Sequence, residues 1–376
     1  VCMECLLTMQ KKSLRKCKKN NSVIYQIKPV IGKKSKKKLI EYIKKDNWIT
    51  EYKITKKFEK EFAKFTNSKE CISFPNGTTT LTAILDCLNL KQNDEILVSN
   101  YTMIATANAA RFLGLKVKLV DISKDDLCMC PKDLNKKISK KSKAVIYTQM
   151  NGRLGQIKEI KRICSANKIF LIEDAAHAIG TYSGNQHAGN IGIAGSFSFS
   201  MPKLITMGQG GAIVTNDKNL SKKLRLYKNF GRKKSGNDIH NYLGYNFKIT
   251  DMQSIIALEQ LKTVNSRIRK KKQIFKKYKD KLKLNKSIHM IDFKSNETPW
   301  SVDIYSNKIS KIKKILNKNN IQTRDVYPPI NSQKIYRYSK GLPVSNLYCK
   351  QGLWLPSSLD LKNSEINKIC KLINQI

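Results

Sequence analysis

No stretch of about eighteen apolar residues occurs in the 376-residue chain, which argues against a membrane-spanning helix. The opening VCMECLLTMQKK carries only a short apolar patch with no signal-peptide cleavage site after it, so a cytoplasmic protein is expected. There are ten cysteines, but they are scattered without the spacing of a disulfide framework. Cys2 and Cys5 form a C-x-x-C and Cys17 follows, yet none of the four histidines is near enough in sequence to complete a zinc site. No metal is expected there. Acidic residues are scarce, 28 against 72 Lys and Arg, giving a formal charge of +44. Such an excess attracts polyanions. The lysines, however, are spread through every segment among Ile and Asn, and aromatic residues are not interleaved with them as a single-strand groove requires. A compositional bias is expected rather than a specific nucleic-acid partner.

Internal repeats and Gly/Ser linkers are absent too, and the 40% hydrophobic content suits an ordinary globular chain with a sizeable core. Residues 1–22 are polar, basic and aperiodic, and read as a disordered arm. Helical spacing follows over Lys34–Lys45 and again over Ile54–Phe65. Short apolar runs then alternate with helical segments. The runs are CISF (71–74), EILVS (95–99), VKLVDI (117–122), AVIYT (144–148), IFLIEDA (169–175), SFSFS (196–200) and GAIVTN (211–216). This predicts an α/β fold with a mostly parallel sheet covered on both faces. A long Lys-rich helix is expected over about 251–284, then shorter strands and helices. The expected division is a large α/β domain over 23–250 and a smaller α+β domain over 251–376.

Four clusters carry chemistry. In Phe74-Pro75-Asn76-Gly77-Thr78-Thr79 a strand stops, turns on glycine and opens a helix, whose first amides suit a phosphate; Asn-Gly-Thr is equally a common turn and N-cap. Asp174, in IEDAAHAIG, ends an apolar strand at the sheet edge where ligands gather, with His177 three residues on. The plain alternatives are a helix N-cap and a core histidine. Lys203 lies between SFSFS and the turn Gly208-Gln209-Gly210-Gly211, flanked by apolar residues rather than by other lysines. The fourth cluster, Gly244 to Asp251, is an aromatic and polar loop ahead of the long helix.

In this order the clusters resemble the DegT/StrS-type nucleotide-sugar aminotransferases, of the fold-type I pyridoxal-phosphate (PLP) superfamily. The resemblance runs from about Ile24 to Ile376. It includes NWITEY (47–52), VSNYTMIATANAARFLG (98–114), NGRLGQI (151–157), GYNFKITDMQ (244–253), IQTRDVYPPINSQKIY (321–336) and LWLPSSLDL (353–361). It implies a seven-stranded sheet with a smaller C-terminal domain, and PLP as cofactor. Lys203 matches the Schiff-base lysine, Asp174 the partner of the pyridine nitrogen, and His177 the group set against the ring hydroxyl. Gly77, Thr78 and Ser198 match the phosphate cradle, and Met103 stands at the usually aromatic ring-stacking position. Asn246 corresponds to a residue that reaches the phosphate in the neighbouring subunit, which implies a homodimer. Lys248 and Arg324, with Arg232, are suited to a sugar-nucleotide diphosphate. Gln149 stands where many members carry His, which puts substrate preference in question.

The reaction so implied moves an amino group from an amino acid, glutamate by family habit, to a nucleotide-linked keto sugar, with Lys203 as general acid–base. Related dehydratases carry histidine in place of this lysine. The segments around 47–52, 102–106 and 208–211 look most like enzymes aminating the 4-position of a 4-keto-6-deoxyhexose. Amination at the 3-position and a non-catalytic PLP-binding regulator are the alternatives.

Overall fold

The computed structural model describes residues 23–233, 236, 238–337 and 340–376; the expected basic arm, with Cys2, Cys5 and Cys17, lies outside them. Two amphipathic helices come first, α1 (Lys33–Ile43) and α2 (Lys53–Thr66). Phe58, Phe62 and Ala63 share the buried face of α2, and Asn67 ends the helix in the left-handed conformation. Burying two phenylalanines contributes roughly 3–6 kcal/mol, enough to hold the helix on the domain.

The strands that follow are β1 (Glu70–Phe74), β2 (Glu95–Ser99), β3 (Lys116–Val120), β4 (Ser142–Thr148) and β5 (Phe170–Asp174). After a small hairpin of β6 (Tyr182–Ser183) and β7 (Gln186–His187) come β8 (Ala194–Ser198) and β9 (Gly211–Thr215). All but the hairpin form one seven-stranded sheet in the order β1-β9-β8-β5-β4-β2-β3. Only β9 runs against its neighbours; the pairings of β2, β3, β4, β5 and β8 are parallel. Alternate residues go to opposite faces. Ile72, Ile96, Ile146, Ile172 and Ile213 enter one core, while Cys71, Leu97, Val145, Leu171 and Val214 enter the other. Helices α3 (Gly77–Cys87), α4 (Ile104–Arg111), α5 (Pro131–Lys137), α6 (Ile157–Ala166) and α7 (Lys218–Lys228) connect the strands. Two of these, α5 and α7, escape a reading by pattern: one is too short to show a period, and the other is dense in lysine.

The helix expected over 251–284 is two helices, α8 (Asp251–Leu261) and α9 (Val264–Leu282), broken at Lys262–Thr263. Ala257 and Val264, on either side of the break, both pack with the central sheet, and further along α9 Ile274, Phe275, Tyr278 and Leu282 pack in a third core. After α9 come β10 (Val302–Tyr305), α10 (Ile309–Lys318), β11 (Arg324–Asp325), α11 (Pro343–Gln351), β12 (Gly352–Leu355) and α12 (Asn363–Ile373). Of these, β10, α10, β12 and α12 close the third core, whereas α11 packs Cys349 in the central one. The three strands form an antiparallel sheet in the order β10-β12-β11. Ile24 joins this third core through a bridge to Ile321. Among the described residues no helix is long and apolar enough to cross a membrane.

Candidate active site

The parallel strands end at one edge of the sheet, and strand order reverses around β4, so the loops there splay apart and leave a crevice. It is a cleft of about 310 Å³, within the range of a cofactor pocket. Gly77, Thr78, Met103, Asp174, His177, Ser198, Lys203 and Arg324 all line it. They come from the ends of β1, β2, β5 and β8, from the turn after β8, and from β11.

Asp174 closes β5 and is 6% exposed. Burial raises its carboxyl pKa, opposed by a hydrogen bond from the Thr106 hydroxyl and by the Lys203 charge. The Thr106 oxygen donates to Oδ2 at 2.7 Å, and the Ala176 N–H donates to Oδ1 at 3.3 Å. Thr106 belongs to a hydroxyl chain with Thr102 and Thr148, each step 3.0 Å. The carboxylate is therefore fixed at the cleft floor with lone pairs to spare.

Lys203 is in the loop after β8, its ammonium 4.8 Å from the centroid of the Trp300 ring. Among the described residues it forms no ion pair. Burial drives its pKa down to about 7, with Asp174 pulling it up and Arg324 pushing it further down. At neutral pH such an amine is present in both protonation states, as a proton-transfer group must be. His177 is buried against the plane of Trp300, ring centroids 3.9 Å apart and 4° from parallel. Burial, then Lys203 and Arg324, hold its pKa well below the usual imidazole range.

At the start of α3, Asn76 is in extended conformation and its side chain accepts the amides of Thr78 and Thr79, at 3.0 and 2.9 Å. This corrects the expectation of free amides: the cap has claimed two of them, and beside the Thr78 hydroxyl the Ser198 hydroxyl donates to Ser200 Oγ at 3.3 Å. Gly77 faces Ser198 so closely that a Cβ on it would stand 3.0 Å from the Ser198 Cβ. Met103 is 45% exposed, and its sulfur accepts the Ala105 N–H.

Asn246 and Lys248 do not line this cleft. Asn246 is exposed and bridges to Asn229. Lys248 packs its ammonium 4.2 Å over the Phe230 ring, whose other cationic neighbour is Arg232 at 5.2 Å. Its Nζ is buried without a hydrogen-bond partner. The cations grouped from the sequence thus separate into Arg232 with Lys248 in one place and Arg324 in the cleft. Gln149 is fully buried with its Nε2 on Glu173 at 2.5 Å, and does not line the cleft. Thr106, Trp300 and Tyr327 are residues of this site that sequence reasoning missed. Thr106 carried a usable signal, since it sits in the TMIAT run beside Met103. Trp300 and Tyr327 come from the far end of the chain, and only folding brings them here.

A model of the DegT/DnrJ/EryC1/StrS aminotransferase family matches residues 29–374. The chain belongs to that family. Among its relatives, the GDP-perosamine synthase of Escherichia coli O157:H7 is 30% identical over 324 residues, covering 85% of this chain and 89% of that one. The GDP-perosamine synthase of Vibrio cholerae is 29% identical over 326 residues, covering 84% and 89%. The solved structure of PseC from Helicobacter pylori, an aminotransferase in pseudoaminic acid biosynthesis, superposes with a TM-score of 0.90 at 23% identity. It covers 94% of this chain and 99% of that one, and at such identity it speaks for the fold.

The protein is thus a PLP-dependent transaminase of the sugar aminotransferase family, and its cleft suits the cofactor. An unpaired lysine lies opposite a buried carboxylate, and the absent side chain of Gly77 keeps open a space beside two hydroxyls. Thr78 and Ser198 could take the phosphate, Asp174 the pyridine nitrogen and His177 the ring oxygen.

Proposed function

We propose that this DegT-family enzyme transfers the amino group of glutamate to the 4-position of a nucleotide-linked 4-keto-6-deoxyhexose, as a step toward surface polysaccharide or glycan precursors. The observation that carries transamination is Lys203, an amine with a pKa near 7 in the same cleft as Asp174. The relatives named GDP-perosamine synthases support a sugar nucleotide as acceptor and make the GDP-linked keto sugar the first to test.

When bound, PLP supplies an electron sink for the carbon that loses its proton. The chain's own groups do the rest. Asp174 holds the pyridine nitrogen protonated, with Thr106 keeping the carboxylate in place. Gly77, Thr78 and Ser198 seat the phosphate, and Met103 packs over the ring as a thioether can. Lys203 carries the proton between cofactor carbon and substrate carbon. Arg324 faces substrate at the mouth of the cleft.

Asn246 and Lys248 serve the neighbouring site of a homodimer in this reading. Support comes from the exposed apolar side chains around them, Leu243 at 81%, Trp48 at 65% and Tyr242 at 54%. A bridge between Thr50 and Thr250 brings their two segments together.

A panel of nucleotide-linked keto sugars with glutamate, followed by 2-oxoglutarate release and by NMR of the product, tests the reading. A 3-amino product, or no release with any 4-keto sugar, would remove the 4-position. Mixing inactive Lys203→Ala with Asn246→Ala subunits should restore part of the activity if the sites are shared.

A further inference from the structure

Behind one wall of the cleft stand two residues that the sequence motifs leave without a role, Asn151 in NGRLGQI (151–157) and Trp300 just before β10. Asn151 is 1% exposed and stands at φ 56° and ψ 16°, a left-handed conformation that Asn tolerates better than most residues. The turn aims its amide N–H at His177 Nδ1, 3.3 Å away. An amide N–H only donates, so Nδ1 must offer its lone pair, and in the neutral ring the proton then sits on Nε2. Nε2 is 3.5 Å from the Tyr327 hydroxyl, itself a cleft residue.

Trp300 holds the imidazole in that orientation. Its ring lies flat on His177 at 3.9 Å, so a ring flip about the Cβ–Cγ bond would collide with it. The indole is itself pinned. Nε1–H donates to the Pro202 carbonyl at 3.0 Å, the backbone N–H to the Asn151 carbonyl at 3.0 Å, and the backbone carbonyl accepts from Lys271 Nζ at 2.6 Å. The Asn151 side chain grips Ser301 at both its N–H, 2.7 Å, and its carbonyl, 3.1 Å. The groups that bear on the imidazole are cations and a phenol: Lys203 in the loop after β8, Arg324 on β11, and Tyr327. No acid is among them, since Asp174 acts on Lys203 and Tyr327 instead.

We infer that Asn151 and Trp300 are positioning residues that lock His177 as a neutral imidazole with its Nε2 proton offered to the cleft. His177 then gives one fixed hydrogen bond to an anionic ring oxygen of the cofactor and takes no part in proton transfer, which stays with Lys203. The inference rests on the proposed function only for the identity of that acceptor.

The chain has only four histidines, so ring-nitrogen NMR of the full-length, PLP-free protein labelled with 15N-histidine reads the lock directly. His177, assigned by its loss in His177→Gln, should show one neutral tautomer with protonated Nε2 from about pH 6 to about pH 8.5. Trp300→Leu should release it into mixed tautomers or a titration in that range, whereas Trp300→Phe, which keeps a flat ring, should preserve it. A protonated Nδ1 or an imidazolium near pH 7 in the wild type overturns the inference. So does a Trp300→Leu spectrum that matches the wild type.

With PLP added, His177→Gln keeps a donor and should hold PLP within about twofold and retain both limbs of the pH–rate profile, while His177→Leu should bind about 3–10-fold more weakly. A limb missing in His177→Gln would mean that the imidazole transfers protons. Wild-type protein that failed to bind PLP would sink the proposed function and leave the tautomer result standing.

Discussion

Replacing Lys203 by methionine should abolish turnover and yet stabilise the PLP-free protein. Burial takes the lysine pKa from 10.5 to about 7, against the pull of Asp174 and with a push from Arg324. In the unfolded chain the amine keeps its proton up to its ordinary pKa; in the native state it gives the proton up near neutrality. Folding therefore carries a penalty that is complete below about pH 7, shrinks as pH rises toward about 10.5, and is gone above. At about 1.4 kcal/mol per pH unit the separation corresponds to at most about 5 kcal/mol. Water at the open side of the cleft screens part of it, leaving an expected gain of about 1–3 kcal/mol for the methionine variant near pH 6.5. A chain of 376 residues unfolds with an entropy of about 0.8 kcal/mol/K, so the thermal midpoint should rise by about 1–4 °C. Thermal and urea unfolding of both proteins, stripped of PLP, at about pH 6.5, 8 and 9.5 supplies the comparison. The gain should be largest at the lowest pH and fade at the highest. A variant less stable than wild type at about pH 6.5, or a gain that does not shrink with pH, would refute the assignment of Lys203 as a buried, deprotonation-prone amine.

Arg153 and Asp303, with side chains 1% exposed, pair through two hydrogen bonds of 2.8 and 2.9 Å between the central sheet's loops and β10. Arg153→Met leaves the buried carboxylate without a counter-charge, held only by the Tyr305 hydroxyl at 3.0 Å, and should cost about 3–5 kcal/mol in urea unfolding, most of it recovered in Arg153→Met/Asp303→Leu. Gly77→Val places a branched side chain where even a Cβ stands 3.0 Å from the Ser198 Cβ. PLP titration should then show at least about tenfold weaker binding, and the overpacked contact should cost about 1–3 kcal/mol of PLP-free stability; unaltered affinity would remove Gly77 from the cradle. Gln149→His alters a pair sealed behind the cleft, so unfolding should change while the order of rates across a keto-sugar panel stays as in wild type. A reordered panel would return Gln149 to the substrate site.

Particular elements show how far the sequence could be read. The seven strands were legible because each is a buried apolar run with turn chemistry at its ends. Asp174 and Gly77 were legible because parallel strands deliver their last residues to one edge. The break at Lys262–Thr263 was not legible, because the apolar spacing continues across it and Ala257 and Val264 pack in the same core on either side. The placement of Gln149 was not legible either: it directly follows β4, and which way its side chain turns is set by the buried carboxylate of Glu173.

The order of local motifs by itself carried the resemblance to the family and singled out Lys203 as a candidate, and strand periodicity predicted the parallel sheet, since each depends on residues adjacent along the chain. The tertiary structure decided what surrounds them. Trp300 and Tyr327 lie roughly a hundred residues or more beyond His177 and Lys203, with no spacing rule connecting the two regions. Only the packing of the C-terminal sheet against the cleft sets an indole on an imidazole and an ammonium, so the protonation states on which the chemistry depends belong to the fold.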